Sequence, residues 1–107
     1  MERNTSRKIA SGRISIDRKL DLHGMTQNEA YHRLMVTLED AWLAEKRTVL
    51  VVTGKGKGEG ILRQAVPRWL AEAGFRQYVS GVSEAHVSHG GSGALYVRLK
   101  RRKSHQG

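Results

Sequence analysis

Two short apolar runs separated by a single helical stretch constrain this chain more than any other feature. The first run closes with Leu20-Asp21-Leu22 and leads into His23-Gly24; the second, Val49-Leu50-Val51-Val52, leads into Thr53-Gly54-Lys55-Gly56. Between them, Thr26 to Lys46 carries helical periodicity. Two strands that run the same way need a crossover, usually a helix. Both trailing motifs then lie at the carboxyl edge of one sheet, where open α/β sheets place their ligands. An acid, an imidazole and a lysine on a glycine-rich turn meet there, a combination suited to a negatively charged ligand.

The remaining elements follow from the same kind of reading. Thr26 with Glu29 three residues on forms a capping box, and Ala30, Leu34, Leu38, Ala41 and Trp42 then share one helical face. Thr48 to Thr53 is β-branched and nearly continuous in apolar character, as expected of a strand buried on both faces. Ile61, Leu62, Ala65, Val66, Trp69 and Leu70 mark a second amphipathic helix, and both tryptophans read as core. Pro67 interrupts this helix, so a kink or two short helices are expected, with Gly74 as its stop. Tyr78 to Val82 reads as a third strand, Gly90-Gly91-Ser92-Gly93 as a flexible loop, and Ala94 to Lys100 as the last strand. On that strand Leu95, Val97 and Leu99 share one face, while Tyr96, Arg98 and Lys100 share the other. The order is β-α-β-α-β-β, which implies a two-layer α/β sandwich. Its helices lie mainly on one face of a four-stranded mixed sheet.

Composition bounds what such a fold can do. A length of 107 residues is one domain. No cysteine is present, which removes disulfides and cysteine-built zinc sites. No apolar run is long enough to span a membrane, and the polar start is no secretory segment, so a soluble, cytoplasmic chain is expected. The net charge of +9 sits at the ends: residues 1–19 carry +4, residues 98–103 carry +5, and residues 20–97 are neutral. Two basic ends on a neutral body suggest a polyanionic partner, most simply nucleic acid; tails that only aid solubility are the plain alternative. Residues 1–17 read as a basic mobile arm, 18–102 as the compact domain and 103–107 as a tail.

Three blocks carry a family likeness. Leu20-Asp21-Leu22-His23-Gly24, Thr53-Gly54-Lys55-Gly56 and Gly90-Gly91-Ser92-Gly93-Ala94-Leu95-Tyr96-Val97, in this order, resemble the signature blocks of the Smr (small MutS-related) domain across roughly residues 18–102. With Ala85-His86 and His89-Gly90-Gly91 before the last strand, the chain resembles the stand-alone bacterial branch rather than the domain fused to a MutS ATPase. The resemblance implies a fold similar to the C-terminal domain of bacterial translation initiation factor three. It also implies nucleic-acid binding, with nicking or endonuclease activity on DNA or RNA. It assigns the site to Asp21, His23, Gly54, Lys55 and Gly56.

Phosphodiester cleavage requires an activated nucleophile, stabilised phosphorane charge and a protonated leaving oxygen. Asp21 and His23, two apart, point to one side of an extended strand. His23 suits a general base or acid, and Asp21 suits its orienter, a cation ligand or a proton acceptor. The structural alternatives are a turn cap for Asp21 and a hydrogen-bonded imidazole for His23. Gly54 through Gly60 suits a loop whose backbone N–H groups approach phosphate, with Lys55 on the scissile group and Gly54, Gly56, Lys57 and Gly58 around it; the plain alternative is a floppy connection. The loop matches neither a Walker A nor a Rossmann pattern, so no nucleotide cofactor is expected. Mg2+ or Mn2+ stays open, since Asp21 is the one firm carboxylate and Glu59 a loop candidate.

His86 and His89 are candidate substrate contacts with Gly91 and Gly93, or else exposed loop residues, whereas His32 and His105 read as ordinary surface. Tyr96, Arg98, Lys100, Arg101 and Arg102 are further candidates. If the face of Tyr96 is open, it suits stacking on single-stranded nucleic acid; if covered, Tyr96 is core. The leading expectation is an endonuclease or nickase acting on DNA, or on structured or ribosome-associated RNA. The alternatives are a non-catalytic nucleic-acid-binding module and a ribosome-associated factor. A monomer is the simplest oligomeric state.

Overall fold

β1 (Arg18–Asp21) and β2 (Thr48–Val52) lie side by side and parallel, with Leu20 opposite Val51 and Asp21 opposite Val52. The computed structural model describes residues 15–54 and 60–102. The crossover is α1 (Gln27–Leu43). Its capping box forms as expected: Thr26 Oγ1 accepts from the Glu29 N–H at 3.2 Å, and the Glu29 carboxylate accepts from the Thr26 N–H at 3.0 Å. α2 (Ile61–Leu70), α3 (Ala73–Arg76), β3 (Val79–Glu84) and β4 (Ala94–Leu99) complete the order. The sheet runs β1-β2-β4-β3, with β4 antiparallel to both neighbours. The four-stranded mixed sheet of the sequence reading is therefore present.

The pleat separates two cores. Leu20, Val49, Val51, Val97 and Leu99 face α1 and α2, where Leu34, Leu38, Val66, Leu70 and Phe75 complete one buried cluster. Leu50, Ala94 and Tyr96 face the opposite side, which carries no helix among the described residues, and are buried there with Ala85, while Ile16 and Val52 pack against them partly buried. Tyr31 stands edge-on to both Trp69 and Phe75, with ring centroids 5.0 and 5.3 Å away, and so ties α1 to α2 and α3. Trp42 and Trp69 are partly buried against the helical core, as expected.

Several details differ from expectation. α2 runs through Pro67 without dividing, because Leu62, Val66 and Leu70 anchor it on the sheet from both sides of the proline. The break comes later, at Ala71-Glu72, where the chain turns to insert the fully buried Phe75. Gly74 therefore does not stop α2 but lies within α3. Ile61 is off the buried stripe and 47% exposed. β3 begins and ends later than expected and carries a bulge between Val79 and Gly81.

Contacts to the sheet also extend ahead of β1. Ile16 packs against Leu50's cluster on the helix-free face. The Asp17 carboxylate accepts from the N–H groups of Arg47 and Thr48 at 2.9 and 3.0 Å, and the Asp17 N–H donates to Thr48 O at 2.9 Å. These bonds, from Arg47 first and Thr48 second, hold the Asp17 carboxyl below the usual carboxylate range. A depressed carboxylate contributes stability that is complete above its unfolded value and lost as pH falls through its folded value. Asp17→Asn should therefore cost about 1 kcal/mol at pH 7. In urea titrations across the acid range, the gap to wild type should close as the pH drops below the carboxylate range.

Candidate active site

The site edge begins where β1 stops. The Leu22 N–H still bonds to Val52 O at 2.7 Å, and the Met25 N–H returns to Leu22 O at 3.0 Å, closing a tight turn around His23-Gly24. Asp21 Oδ1 accepts from the His23 N–H at 3.0 Å and lies 2.7 Å from His23 Nδ1. The pair thus comes together through a turn that folds His23 back on Asp21, rather than through strand alternation. Its largest electrostatic consequence falls on Asp21: the hydrogen bond from the His23 ring holds that carboxyl below its ordinary range. An ionised carboxylate only accepts, so in a neutral imidazole the shared proton belongs on Nδ1 and the lone pair on Nε2. The dyad faces solvent, with the His23 side chain 68% and the Asp21 side chain 47% exposed. Asp21 does cap the turn through the His23 N–H, so its structural role and its orienting role coexist.

The second motif meets the first at Gly54. Gly54 has φ of +82°, and a Cβ built on it would lie 3.3 Å from His23 Cβ. Its N–H is not available to a phosphate, because it donates to Gly93 O at 3.0 Å. Gly54 therefore makes room for His23, and its N–H serves the chain itself. Lys55, Gly56, Lys57, Gly58 and Glu59 lie outside the described residues.

The stretch Gly90 to Gly93, expected as a flexible loop, holds a short 3₁₀ turn, Gly91–Gly93, and another, Val87–His89, precedes it. His86 O accepts from the N–H groups of His89 and Gly91 at 2.8 and 3.0 Å. His86 Nδ1 accepts from the Ser88 N–H at 3.1 Å and caps the first turn. The Gly93 carbonyl accepts from the N–H groups of Thr53 and Gly54 at 2.9 and 3.0 Å and from Thr53 Oγ1 at 3.3 Å. Gly91 and Gly93 thus spend their polar groups on the loop, and Gly93 is buried. Gly90 is a place where only glycine fits, since its φ is +121° and a Cβ would lie 2.8 Å from Ala94 Cβ. Tyr96 is 3% exposed, so its ring is not a stacking platform. Its hydroxyl accepts from the His86 N–H at 3.2 Å and sits 2.7 Å from His89 Nδ1.

The basic C-terminal run is not part of this edge. β4 is antiparallel, with Ala94 opposite Val52 and Arg98 opposite Thr48. Arg98, Lys100, Arg101 and Arg102 therefore lie toward the far end of the sheet, with Arg98 about 13 Å along it from the level of the dyad at the usual strand rise and the others beyond. Arg98 lines a groove of about 250 Å³ with Thr48, Ser80, Ser83 and Tyr96 on the helix-free face. The Lys100 N–H donates to Tyr78 O at 2.7 Å. Arg102 donates to Leu43 O at 3.0 Å and lies 5.8 Å from the Trp42 ring centre, which ties it to the end of α1.

Beside the dyad's turn opens a cleft of about 450 Å³ lined by Met25, Thr26, Gln27, Asn28, Ile61 and Leu62. Sequence reasoning missed it; the available signal was Ile61, an apolar residue directly after Gly60. Among the described residues, no three His, Asp or Glu side chains come together as a metal site.

The family model for the Smr domain matches residues 20–100, from the first strand to the last. The chain belongs to the Smr domain family. A curated relative, "Ribosome rescue factor SmrB" of Vibrio vulnificus (strain CMCP6), is 38% identical over 80 residues, covering 75% of this chain and 43% of the relative. "Endonuclease MutS2" of Clostridium acetobutylicum is 30% identical over 86 residues, covering 80% of this chain and 10% of the relative. Among solved structures, YdaL, a stand-alone small MutS-related protein from Escherichia coli, superposes with a TM-score of 0.75 at 30% identity, covering 94% of this chain and 78% of that one. The chain spans about half the length of the SmrB relatives it matches. Within this Smr domain the Gly54–His23 contact can be tested directly. Gly54→Ala should cost about 1 to 2 kcal/mol through its left-handed backbone. It should also shift the His23 ring resonances in NMR spectra, while those of His32 stay in place.

Proposed function

We propose that this Smr domain is an endonuclease that cuts phosphodiester bonds in nucleic acid by acid–base chemistry centred on Asp21 and His23. The observation that carries the reading is the solvent-facing pair itself: a carboxylate on Nδ1 leaves Nε2 as a base at the sheet's ligand edge. Each residue has a definable part. Asp21 fixes the ring and its tautomer and stabilises the imidazolium formed when His23 takes a proton. Gly54 leaves the space the ring needs. Lys55, next in sequence to Gly54, is the candidate partner for the scissile phosphate.

RNA is the substrate this chemistry favours. An imidazole can deprotonate a 2′-hydroxyl that already sits beside the phosphorus, and such intramolecular attack carries a large effective concentration. Cutting DNA needs water as the nucleophile instead. The relatives named as ribosome rescue factors point to ribosome-associated RNA, and those named as endonucleases support the cleavage class. The basic far end suits the nucleic-acid backbone, which predicts salt-dependent binding. A divalent cation would be held by Asp21 together with substrate phosphates, and would supply charge neutralisation there.

The deciding experiment offers purified protein a structured RNA, the same RNA with one 2′-deoxy nucleotide at the cut position, and supercoiled plasmid, each with Mg2+ or with chelator. The expected result is RNA cleavage that the 2′-deoxy substitution abolishes. His23→Ala should lower the rate about 10²- to 10⁴-fold with binding unchanged. Plasmid nicking that His23→Ala abolishes would move the substrate to DNA. Binding without any cleavage would leave a non-catalytic module.

A further inference from the structure

We propose that Tyr96 is a positioning residue: its buried hydroxyl sets the tautomer and orientation of His89, so that His89 presents Nε2–H to a non-bridging phosphate oxygen. The catalytic half of this inference rests on the endonuclease reading above; the tautomer half does not.

The argument starts from the phenol. Tyr96 sits on the central strand β4, with Leu50 on one side and Ser83 on the other, and its side chain is buried on the helix-free face. A buried hydroxyl without partners is costly, and phenylalanine would fill the same volume. Here the oxygen has two partners, both from the His86–His89 turn. One is the His86 N–H, which can only donate, so the phenol oxygen accepts there at 3.2 Å. The phenolic proton then needs an acceptor, and His89 Nδ1 lies 2.7 Å away. Accepting a hydrogen bond from the phenol on its lone pair requires His89 Nδ1 to be unprotonated, which puts the proton of the neutral ring on Nε2. The two rings stand edge-on, at 83° with centroids 5.7 Å apart, so the imidazole is fixed in direction as well as in tautomer.

His89 and His23 thereby become complementary. Asp21 puts the proton of His23 on Nδ1 and leaves Nε2 as an acceptor, whereas Tyr96 does the reverse for His89. Both turns belong to one edge, joined by the bonds from Thr53 and Gly54 to Gly93 O and from the Gly93 N–H to Gly90 O, next to His89. His23 takes the proton of the attacking 2′-hydroxyl as its oxygen bonds to phosphorus; the bond from phosphorus to the 5′-oxygen breaks, and that oxygen leaves as a hydroxyl on taking a proton from water. His89 donates a hydrogen bond to the developing oxyanion and transfers no proton. His86 Nδ1 accepts from the Ser88 N–H at 3.1 Å, so its ring is oriented by its own turn rather than by Tyr96.

The first test needs no substrate. In long-range 1H–15N spectra of the wild-type protein near neutral pH, His89 should show a protonated Nε2 and an unprotonated Nδ1. A protected Tyr96 hydroxyl proton should lie close to the His89 ring. A protonated Nδ1 in the neutral ring would overturn the proposal, whatever the protein cleaves. The second test uses the RNA cleavage assay. Tyr96→Phe should slow cleavage about tenfold, and should add nothing in a His89→Ala background. His89→Gln, which still offers an N–H, should keep most of the rate that His89→Ala loses. Full activity in Tyr96→Phe, or a multiplicative loss in the double variant, would sink the catalytic role. If Tyr96→Phe does not fold, the wild-type spectra and the Gln–Ala comparison still decide. Absence of cleavage in the wild type would count against the endonuclease reading and leave the tautomer result standing.

Discussion

One backbone carbonyl holds the candidate site together. Gly93 O accepts from Thr53 and Gly54 at once, and so fastens the loop before β4 to the turn after β2. Gly54 in turn sits against His23, and His23 against Asp21. Three segments far apart in sequence are thus joined through main-chain atoms and one side-chain pair. Buried carbonyls need donors, and satisfying this one fixes the position of everything at the edge. The helices contribute differently: they cover the opposite face of the same strands and keep β1 parallel to β2, which delivers both motifs to one end.

The parts of the fold that periodicity governs were legible from the residues. The capping box at Thr26, the doubly buried β2 and the alternation along β4 each follow from local rules that tertiary packing then reinforced. Pro67 and Gly74 misled for one shared reason. Both are strong local punctuation, yet the burial of Val66, Leu70 and Phe75 outweighed a missing donor at one position and weak helix preference at the other.

The site was legible as a neighbourhood rather than as a mechanism. Spacing alone brought Asp21, His23 and Gly54 to one edge, but nothing in a glycine-rich string tells whether its N–H groups face a ligand or the chain itself. Gly91 and Gly93 turned inward, because a loop that must cross from β3 to β4 consumes its own donors and acceptors, and Gly54, after β2, donates to that loop's Gly93 O. Tyr96 posed a similar problem: alternation named its face, and only the loop folded over that face shows it to be closed. For the basic residues after Val97, strand direction decides the place. An antiparallel strand carries its end away from its start, so charge adjacent in sequence to the third block lies at the other end of the sheet.

The position of β4 also has a consequence for how the chain is made. The last strand in sequence is a middle strand in space, held between β2 and β3. During synthesis from the N-terminus, the β-α-β unit of β1, α1 and β2 can form early, but β2 keeps an unpaired edge until residues beyond 93 emerge. The carbonyl that organises the site comes out just ahead of the strand that holds it. The nascent domain thus keeps an open sheet and an unassembled candidate site until residues beyond 93 are made. Completion of the sheet and assembly of that edge become a single late event, closed by the final stretch of the domain.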